Sequence, residues 1–453
     1  MSDDIGAPTR HPIAWQNPDF YDKAKLDAEL RRVFDICHGC RRCFNLCDSF
    51  PRLFDLVDEA GDEEMEGVAS ADFKSVVDAC TLCDLCFMTM CPYTPPHEWN
   101  IDFPHLMLRY RAVEHRDGKH FNSASPRLAE TDANGRLARF LGPVMNWASE
   151  RDNGLTRPLM EKVAGVDRDA SLPRFAGKTL VRRAKANPLA VNTQAPAHGR
   201  KVALYATCFS NYNNPAIGEA ALAVLAKNGV EAEVVYPRCC GMPQLEQGDI
   251  ARVAEGARKT AADLVPWIDR GYDIVALVPS CALMLKMEWP LIVGDDENVK
   301  RLAAHSFDIP EYIVDIARKE GLADGLKPLD GGVTLHLACH ARAQNMGRKA
   351  ADMLALVPDT EVDVVERCSG HGGSIGVTKD FHKIAIKVGR PVARQSLQKG
   401  NRFVSSECPL AAVHIVDGMG RMAEKEENGD ELMPPDGKAF HPIQLFARAY
   451  GLT

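Results

Sequence analysis

The stretch DICHGCRRCFNLCDSF, residues 35–50, places four cysteines within eleven positions, and DACTLCDLCFMTMCPY, residues 78–93, repeats the arrangement. In both runs two residues separate each of the first three cysteines, and a fourth cysteine follows four or five positions later. Two intervening residues let the backbone curl, so that successive sulfurs can reach one metal centre. The two runs therefore predict a pair of adjacent metal sites in one N-terminal domain.

The spacing resembles the bacterial ferredoxin run, in which three close thiolates hold one 4Fe-4S cluster and the fourth thiolate serves the neighbouring cluster. We predict two 4Fe-4S clusters with crossed fourth ligands. Two structural zinc sites are the alternative, but zinc would not need a third closely spaced cysteine in each run. Two features depart from the ferredoxin run: Asp48 stands where the run has a proline, and the second run has one extra residue before Cys91. Both concern which cluster the fourth cysteine binds more than whether the clusters form. The predicted ligands are Cys37, Cys40, Cys43 and Cys91 for one cluster, and Cys80, Cys83, Cys86 and Cys47 for the other.

Composition excludes some functions. The 453-residue chain has a formal net charge of −8, so no overall positive field attracts nucleic acid. The N-terminus has no apolar leader, and the longest uncharged apolar run, residues 274–285, is shorter than the roughly 20 residues that span a bilayer. We therefore expect a cytoplasmic protein without a transmembrane segment, in which fifteen cysteines act as metal ligands or redox groups rather than as disulfides.

The C-terminal half contains an internal repeat. KVALYATCF (201–209) matches VTLHLACH (333–340), RCCGMP (238–243) matches RCSGHG (367–372), and IVALVPSCALM (274–284) matches RFVSSECPLAA (402–412). The matching cysteines lie 131, 129 and 127 positions apart. This regular offset predicts a duplicated domain.

Each copy has the pattern of strands that end in a cysteine and alternate with helices. In the first copy a helix is predicted over 214–229, with Pro215 near its start and Gly229 at its end. In the second, apolar residues keep helical spacing from Val377 to Val388. Alternating strands and helices predict a parallel, Rossmann-like α/β sheet in each copy, with the cysteines at a ligand crevice.

The predicted fold class is therefore α+β multidomain: a helical two-cluster ferredoxin-like module followed by two duplicated α/β domains. The predicted segments are an N-terminal tail (1–30), the ferredoxin-like domain (31–115), a helical or irregular linker (116–199), the first α/β copy (200–325), the second (326–425) and a C-terminal tail (426–453).

The second half resembles the cysteine-rich CCG domains of heterodisulfide reductase-type proteins. The resemblance rests on RCCGMP, on CHARAQNMG (339–347) and on RCSGHGGSIGVTKDF (367–381). A two-cluster module followed by two CCG domains is similar to the iron-sulfur subunits of anaerobic glycerol-3-phosphate dehydrogenase and glycolate oxidase. It implies an unusual iron-sulfur cluster in the first copy, although Val278 replaces one cysteine of the family's terminal CxxC. The ligands implied are Cys208, Cys239, Cys240 and Cys281.

The second copy departs further from the family pattern, because Ser369 replaces the second cysteine of the pair. A hydroxyl is a far poorer metal ligand than a thiolate at neutral pH, whereas three thiolates and an imidazole match a Cys3His site. We expect a mononuclear zinc or iron there, or no metal. The candidate ligands are Cys339, Cys368, Cys408 and His371, with His340 in reserve.

The resemblance implies an electron-transfer subunit. It would take electrons from a flavoprotein dehydrogenase or another redox protein and pass them through the two 4Fe-4S clusters and the metal centre of the first CCG copy toward a quinone or another acceptor. The chain has no flavin fingerprint, and the glycine run 370–376 lacks the dinucleotide-binding register, so these glycines are predicted to let the backbone approach a metal centre. Peripheral association with the inner face of the cell membrane is an additional expectation. Two alternatives are a heterodisulfide reductase-like enzyme and a metal-poor scaffold that docks a partner; no catalytic residue is assigned.

Overall fold

The structure is a computed structural model that describes residues 8–60, 64–119, 124–424 and 433–452. Its N-terminal part is helical, as predicted. Asp22 caps the first long helix by accepting a hydrogen bond from the Lys25 amide, and Asp102 caps the fourth in the same way. The apolar faces of these helices pack together around Phe34, Phe54 and Phe73. The helices are α1 (Lys23–Cys40), α2 (Ser49–Asp58), α3 (Phe73–Ala79) and α4 (Phe103–Arg116), with 3-10 turns at Pro18–Tyr21 and Met65–Gly67 and a π-helical turn at Cys86–Met90.

Within the segment predicted as a linker, the described residues form four helices. Their packing is specific: Leu180 is buried so tightly against Gly218 that a Cβ on the glycine would lie 2.0 Å from Leu180 Cδ2. The segment is therefore part of the folded body rather than a spacer. The helices are α5 (Ser125–Ala129), α6 (Thr131–Ser149), α7 (Thr156–Ala164) and α8 (Leu180–Ala186).

The first copy is a four-stranded parallel sheet in the order β2-β1-β3-β4. Its central strand β1 is buried along Val202–Tyr205. The strands are β1 (Lys201–Tyr205), β2 (Glu231–Val235), β3 (Asp273–Ala276) and β4 (Ser306–Asp308). The helices are α9 (Cys208–Tyr212), α10 (Pro215–Lys227), α11 (Met242–Glu246), α12 (Ile250–Asp269), α13 (Pro279–Leu283), α14 (Trp289–Ile292), α15 (Glu297–Ala304) and α16 (Ile309–Lys319), with a π-helical turn at Met284–Glu288.

The second copy repeats this topology as a parallel sheet in the order β6-β5-β7-β8. The identical strand order confirms the predicted fold class and the duplication. The strands are β5 (Val333–His336), β6 (Val362–Val365), β7 (Phe403–Ser406) and β8 (Ala439–Phe440). The helices are α17 (Cys339–Ala343), α18 (Lys349–Leu354), α19 (His382–Lys399), α20 (Pro409–Ala423) and α21 (Pro442–Ala449), with a 3-10 turn at Ile375–Val377.

Further details differ from the sequence expectations. The predicted N-terminal tail includes the start of α1, where Leu26 and Leu30 are buried. The cysteines do not end the strands: Cys208 and Cys339 begin short helices three residues after β1 and β5. The second-copy helix begins at His382 and not near Val377, because a 3-10 turn occupies Ile375–Val377 and Thr378 after it has an extended backbone (ψ 150°). Residues 439–449 are not a tail, since β8 completes the second sheet and α21 is buried.

Each copy packs one of its helices against the other copy. Helix α21 of the second copy packs on α10 of the first, and α16 of the first copy packs on α18 of the second. Their apolar side chains form one core that includes Leu225, Ile313, Met353 and Phe446. A second continuous core joins the N-terminal helices to the opposite face of the first copy. The first copy therefore shares both of its cores with other parts of the chain, whereas the second copy also has a small core of its own around Val392, Val404 and Ile415.

We expect Phe446→Ala to lower the free energy of unfolding by about 3–5 kcal/mol, because it empties a fully buried site in the core that the copies share. Leu452→Ala, at a partly exposed position six residues later, is the matched control and should change stability by less than about 0.5 kcal/mol. Urea unfolding measures both. Similar effects of the two substitutions would contradict the shared core.

Candidate metal centres

The first group of thiols forms where α1 ends. Arg41 has a left-handed backbone (φ 50°), which stops the helix after Cys40 and turns the chain back toward it. Burial, followed by the neighbouring thiols of Cys91 and Cys43, raises the pKa of Cys37 far above its usual value. Burial and Cys91 likewise raise the pKa of Cys43 to about 12. The four cysteines predicted for one cluster thus lie together, including the remote Cys91.

The second group lies between α3 and the π-helical turn. Leu82 and Asp84, on either side of Cys83, both have left-handed backbones, so the chain turns tightly at this cysteine. Burial, then Cys83 and Cys80, raises the pKa of Cys47 well above its usual value. The predicted second set therefore also lies together, with the fourth thiol contributed by the other run.

Buried cations hold this loop. Arg111 donates hydrogen bonds to the carbonyl oxygens of Val77 (2.8 Å) and Cys80 (2.5 Å). Arg10 donates to Asp84 at 2.8 Å and to Glu288 of the first copy at 3.0 Å. The cations satisfy buried oxygens and fix the loop relative to the first copy.

The third group belongs to the first copy. The sulfurs of Cys208 and Cys239 are 3.9 Å apart. Hydrogen bonds from the thiols of Cys208 and Cys240 hold the pKa of Cys239 well below its usual value. The thiol of Cys240 also contacts the thiol of Cys281. All four cysteines implied for this copy are thus brought together, two of them from short helices that follow β1 and β3.

Sequence reasoning missed two residues beside the third group. Asp132, in the first turn of α6, accepts hydrogen bonds from the Cys239 amide (2.9 Å) and the Tyr236 hydroxyl (2.5 Å). The Thr131 hydroxyl lies beside the thiols of Cys208 and Cys239. An open cavity of about 210 Å³ adjoins the Cys239–Cys240 pair. Nothing in the sequence links α6 to a cysteine 107 positions away.

The fourth group lies in the second copy and adjoins the second. Burial, followed by the thiols of Cys83 and Cys368, raises the pKa of Cys339 well above its usual value. Burial and then Cys368 raise the pKa of Cys83 to about 12. Burial also raises the pKa of Cys408 to about 11, and Cys281 of the first copy contributes to that shift. The second-copy thiols therefore lie between the N-terminal module and the first copy.

The predicted histidine ligands have different surroundings. His340, the reserve ligand, is fully engaged: Nδ1 lies 2.8 Å from Ser280 Oγ, and Nε2 lies 3.2 Å from the Leu82 carbonyl oxygen. Burial, followed by the rings of His414, His340 and His336, lowers the pKa of His371 to about 3. His371 is therefore neutral at physiological pH, as a metal-binding imidazole must be.

The glycine run packs all three parts of the chain together. A Cβ on Gly372 would lie 3.2 Å from Thr81 Cγ2 in the second thiol group's loop, and one on Gly373 would lie 2.4 Å from Glu246 Oε1 of the first copy. Gly370 abuts helix α19, where a Cβ would lie 2.1 Å from the Ala385 carbonyl oxygen. All three glycines have positive φ. The loop is thus used for close packing beside the thiols.

The donor sets fit iron-sulfur clusters by their chemistry. All fifteen cysteines are free thiols, and the two N-terminal groups and the first-copy group each contain four. Soft thiolates are the ligands that such clusters use. Among the described residues, no group of three or more His, Cys, Asp or Glu side chains has the geometry to hold a single metal ion. A mononuclear metal in the second copy stays a prediction.

Comparison with known proteins agrees with this duplication. The profile of the CCG cysteine-rich domain matches residues 202–286 and 333–415. The chain contains two CCG domains. The first spans three strands of the β2-β1-β3-β4 sheet with the third thiol group, and the second spans the corresponding strands with the fourth group.

Alignments over longer or shorter parts of the chain relate it to several oxidoreductase subunits and to a lactate utilization protein. The chain is 26% identical over 329 residues to one of the subunits of anaerobic glycerol-3-phosphate dehydrogenase from Escherichia coli (strain K12), covering 71% of this chain and 76% of that protein. It is 28% identical to one of the subunits of fumarate reductase (CoM/CoB) from Methanothermobacter marburgensis, covering 56% of this chain and 47% of that protein. It is 28% identical to lactate utilization protein A of Bacillus pumilus, covering 39% of this chain and 75% of that protein. None of the described helices is long and apolar enough to cross a membrane.

We expect Gly370→Ala to destabilise the chain by about 1–3 kcal/mol more than Gly400→Ala. Both glycines have positive φ, so both substitutions incur the left-handed backbone cost, but a Cβ on Gly400 meets no atom within 4 Å. The Gly370 Cβ would meet backbone that cannot rotate away. Chemical unfolding of the two variants measures the difference, and equal losses would show that the loop is not tightly packed.

Proposed function

We propose that this chain is an iron-sulfur electron-transfer subunit of an oxidoreductase complex. The observation that carries the proposal is the continuous series of thiol groups. The ring of His340, next to Cys339 of the fourth group, lies 3.2 Å from the Leu82 carbonyl oxygen beside Cys83 and 2.8 Å from Ser280 Oγ beside Cys281, so the fourth group lies next to both the second and the third. Cys43 and Cys86 are neighbours in the first and second groups. Iron-sulfur clusters bound to these groups would supply one-electron transfer.

The proposed route differs from the simple sequence expectation. That expectation passed electrons from the N-terminal module directly to the first CCG domain. In the structure the N-terminal helices pack directly on the first CCG domain, but the thiols of the second CCG domain neighbour thiols of both parts, despite its Ser369. Its thiols and glycine loop hold the other two parts in register. We therefore propose that the second CCG domain is retained because its thiols lie on the electron-transfer path from the N-terminal module to the first CCG domain.

The partners are inferred from what the chain provides. The structure uses the glycine run for packing against Thr81 and Glu246, which supports the absence of a nucleotide site there. A flavin would then reside on a partner dehydrogenase, and electrons would leave at the first CCG domain toward a quinone or another acceptor. The similarity to subunits of a dehydrogenase and a reductase supports such a partnership.

A second candidate function rests on the cavity beside Cys239 and Cys240. It is open to solvent and lined by Arg238, Arg252 and Lys259 along with Glu255, so a small polar molecule could reach the first CCG thiols. In that case the domain would reduce a disulfide substrate, as the heterodisulfide reductase resemblance suggests. Reduction of a small disulfide by the full, prereduced chain without any acceptor protein would favour this candidate over the subunit role.

The crossed ligation of the two N-terminal clusters is testable by electron paramagnetic resonance on the full chain purified without oxygen. Because Cys91 lies with Cys37 and Cys43, we expect Cys91→Ser to alter the same signal as Cys40→Ser. Cys47→Ser should alter the other signal, together with Cys83→Ser. The two pairs control for each other. Cys91→Ser acting on the Cys83 signal would contradict the crossing, and zinc in place of iron would contradict the clusters.

The passage through the second CCG domain makes a separate prediction. Cys240→Ser should abolish the signal of the first CCG domain, because it removes one of four thiols. Cys368→Ser should leave that signal present but slow its reduction by a flavoprotein donor at least tenfold. Rapid-freeze spectroscopy measures the rate. Unchanged reduction in Cys368→Ser would show that electrons bypass the second domain, and flavin retained on the purified single chain would contradict the partner role.

A further inference from the structure

Helices α6 and α7 form a hairpin whose large apolar side chains point into solvent. On α6 they recur with helical spacing along one face, where Phe140 is 83% exposed and Trp147 is 52% exposed. At the start of α7 and along it, Leu155, Leu159 and Val163 repeat every four residues; Leu155, the N-cap residue, is 75% exposed. The two stripes make an apolar surface of a kind that soluble proteins rarely leave uncovered. Its members are Leu137, Phe140, Leu141, Val144, Trp147, Leu155, Leu159 and Val163.

The opposite face of α6 shows that this orientation is built into the fold. Its buried residues are small, and Gly135 packs so closely on Tyr212 that a Cβ would lie 2.4 Å from the ring. Ala138 and Gly142 continue this buried face at helical spacing. An ordinary surface helix buries its large apolar residues and exposes its small or polar ones. Here the arrangement is reversed.

The hairpin is anchored, so the exposure does not reflect a loose segment. Buried Arg157 of α7 donates to the carbonyl oxygens of Asp167 (2.7 Å) and Ala170 (2.6 Å). The Asp167 amide donates to the Val377 carbonyl oxygen of the second CCG domain at 2.9 Å. Arg151 pairs with Asp417 of the same domain at 2.6 Å. The apolar surface is therefore held rigidly on the CCG domains.

The charge around this surface is positive. Arg136, Arg139 and Lys162 are exposed and form no ion pair with any residue in the described ranges. Most acids of the hairpin are engaged within the chain: Asp132 at the third thiol group, Glu150 with Arg174, and Glu161 with Arg168. Only Asp152 remains exposed without an ion pair among these residues. The surface thus offers unpaired cations beside Trp, Phe and Leu.

We propose that the α6–α7 hairpin docks this chain on a bilayer that contains anionic phospholipids. A helix that presents Trp, Phe and Leu on one face, with arginine and lysine at its border, has the composition of helices that lie in the membrane interface. The apolar side chains enter the acyl boundary and the cations meet lipid phosphates. The negative net charge of the whole chain makes a local cationic rim the part that such a surface attracts.

The docking surface also has a defined relation to the thiols. Helix α6 begins at Thr131, beside Cys208 and Cys239. The next residue, Asp132, accepts a hydrogen bond from the Cys239 amide. A hairpin seated on a bilayer therefore brings the first CCG domain to the membrane. Only this consequence, delivery of electrons to an acceptor dissolved in the bilayer, rests on the proposed function. Binding itself does not.

The test is flotation of the full chain with vesicles of phosphatidylglycerol and phosphatidylcholine, without any electron donor. We expect the chain to float with these vesicles, and the double substitution Phe140→Glu and Leu159→Glu to lower the bound fraction about tenfold or more. Leu356→Glu, at an exposed apolar position of the second CCG domain, is the matched control and should float like the unaltered chain. Because no donor is present, failure here would leave the electron-transfer proposal untouched.

A second variant tests the electrostatic part without placing charge in the apolar surface. Arg136→Gln with Arg139→Gln should weaken binding to the anionic vesicles and reduce its sensitivity to salt. An unaltered chain that stays in solution, or glutamate variants that float equally well, would overturn the proposal. So would light scattering that shows a dimer which Phe140→Glu dissociates, since the surface would then belong to a second copy.

Discussion

The close packing of the glycine loop of the second CCG domain constrains the whole arrangement. Gly370 abuts α19 of its own domain, Gly372 abuts Thr81 of the N-terminal module, and Gly373 abuts Glu246 of the first CCG domain. Each contact leaves no room for a Cβ without displacement. Three separate parts of the chain therefore meet at one loop, and their thiol groups are held in register there.

Hydrogen bonds from buried side chains reinforce this junction. His340 of the second CCG domain bridges Ser280 of the first and Leu82 of the N-terminal module. Arg111 joins the Cys80 carbonyl to that of Glu246. These groups are buried, so losing one partner would leave an unsatisfied polar atom at the site. The same interactions that satisfy buried polar groups thus also position the thiols.

The second CCG domain gains a role in this architecture that its ligand set alone does not suggest. It has lost one cysteine of the CCG pair, yet its remaining thiols lie between those of the N-terminal module and those of the first domain. The packing of α21 on α10 and of α16 on α18 also joins its apolar residues to those of the first CCG domain in one core. The shared core and the position of its thiols thus give the degenerate copy a structural role that its ligand set does not reveal.

The sequence by itself determined the two cysteine runs, the duplication and the parallel α/β class, because ligand spacing, repeat offset and strand-helix alternation are local patterns. The grouping of Cys91 with Cys37 could also be anticipated from the resemblance to ferredoxins. Only the tertiary structure decided that Cys368 adjoins Cys83, that Asp132 reaches Cys239, and that residues 439–449 complete a sheet. It also decided that α6 buries its glycines and exposes Phe140, since the spacing of apolar residues along a helix does not show whether that face packs on the protein or meets solvent. These features depend on contacts between residues far apart in the chain, which no local spacing encodes.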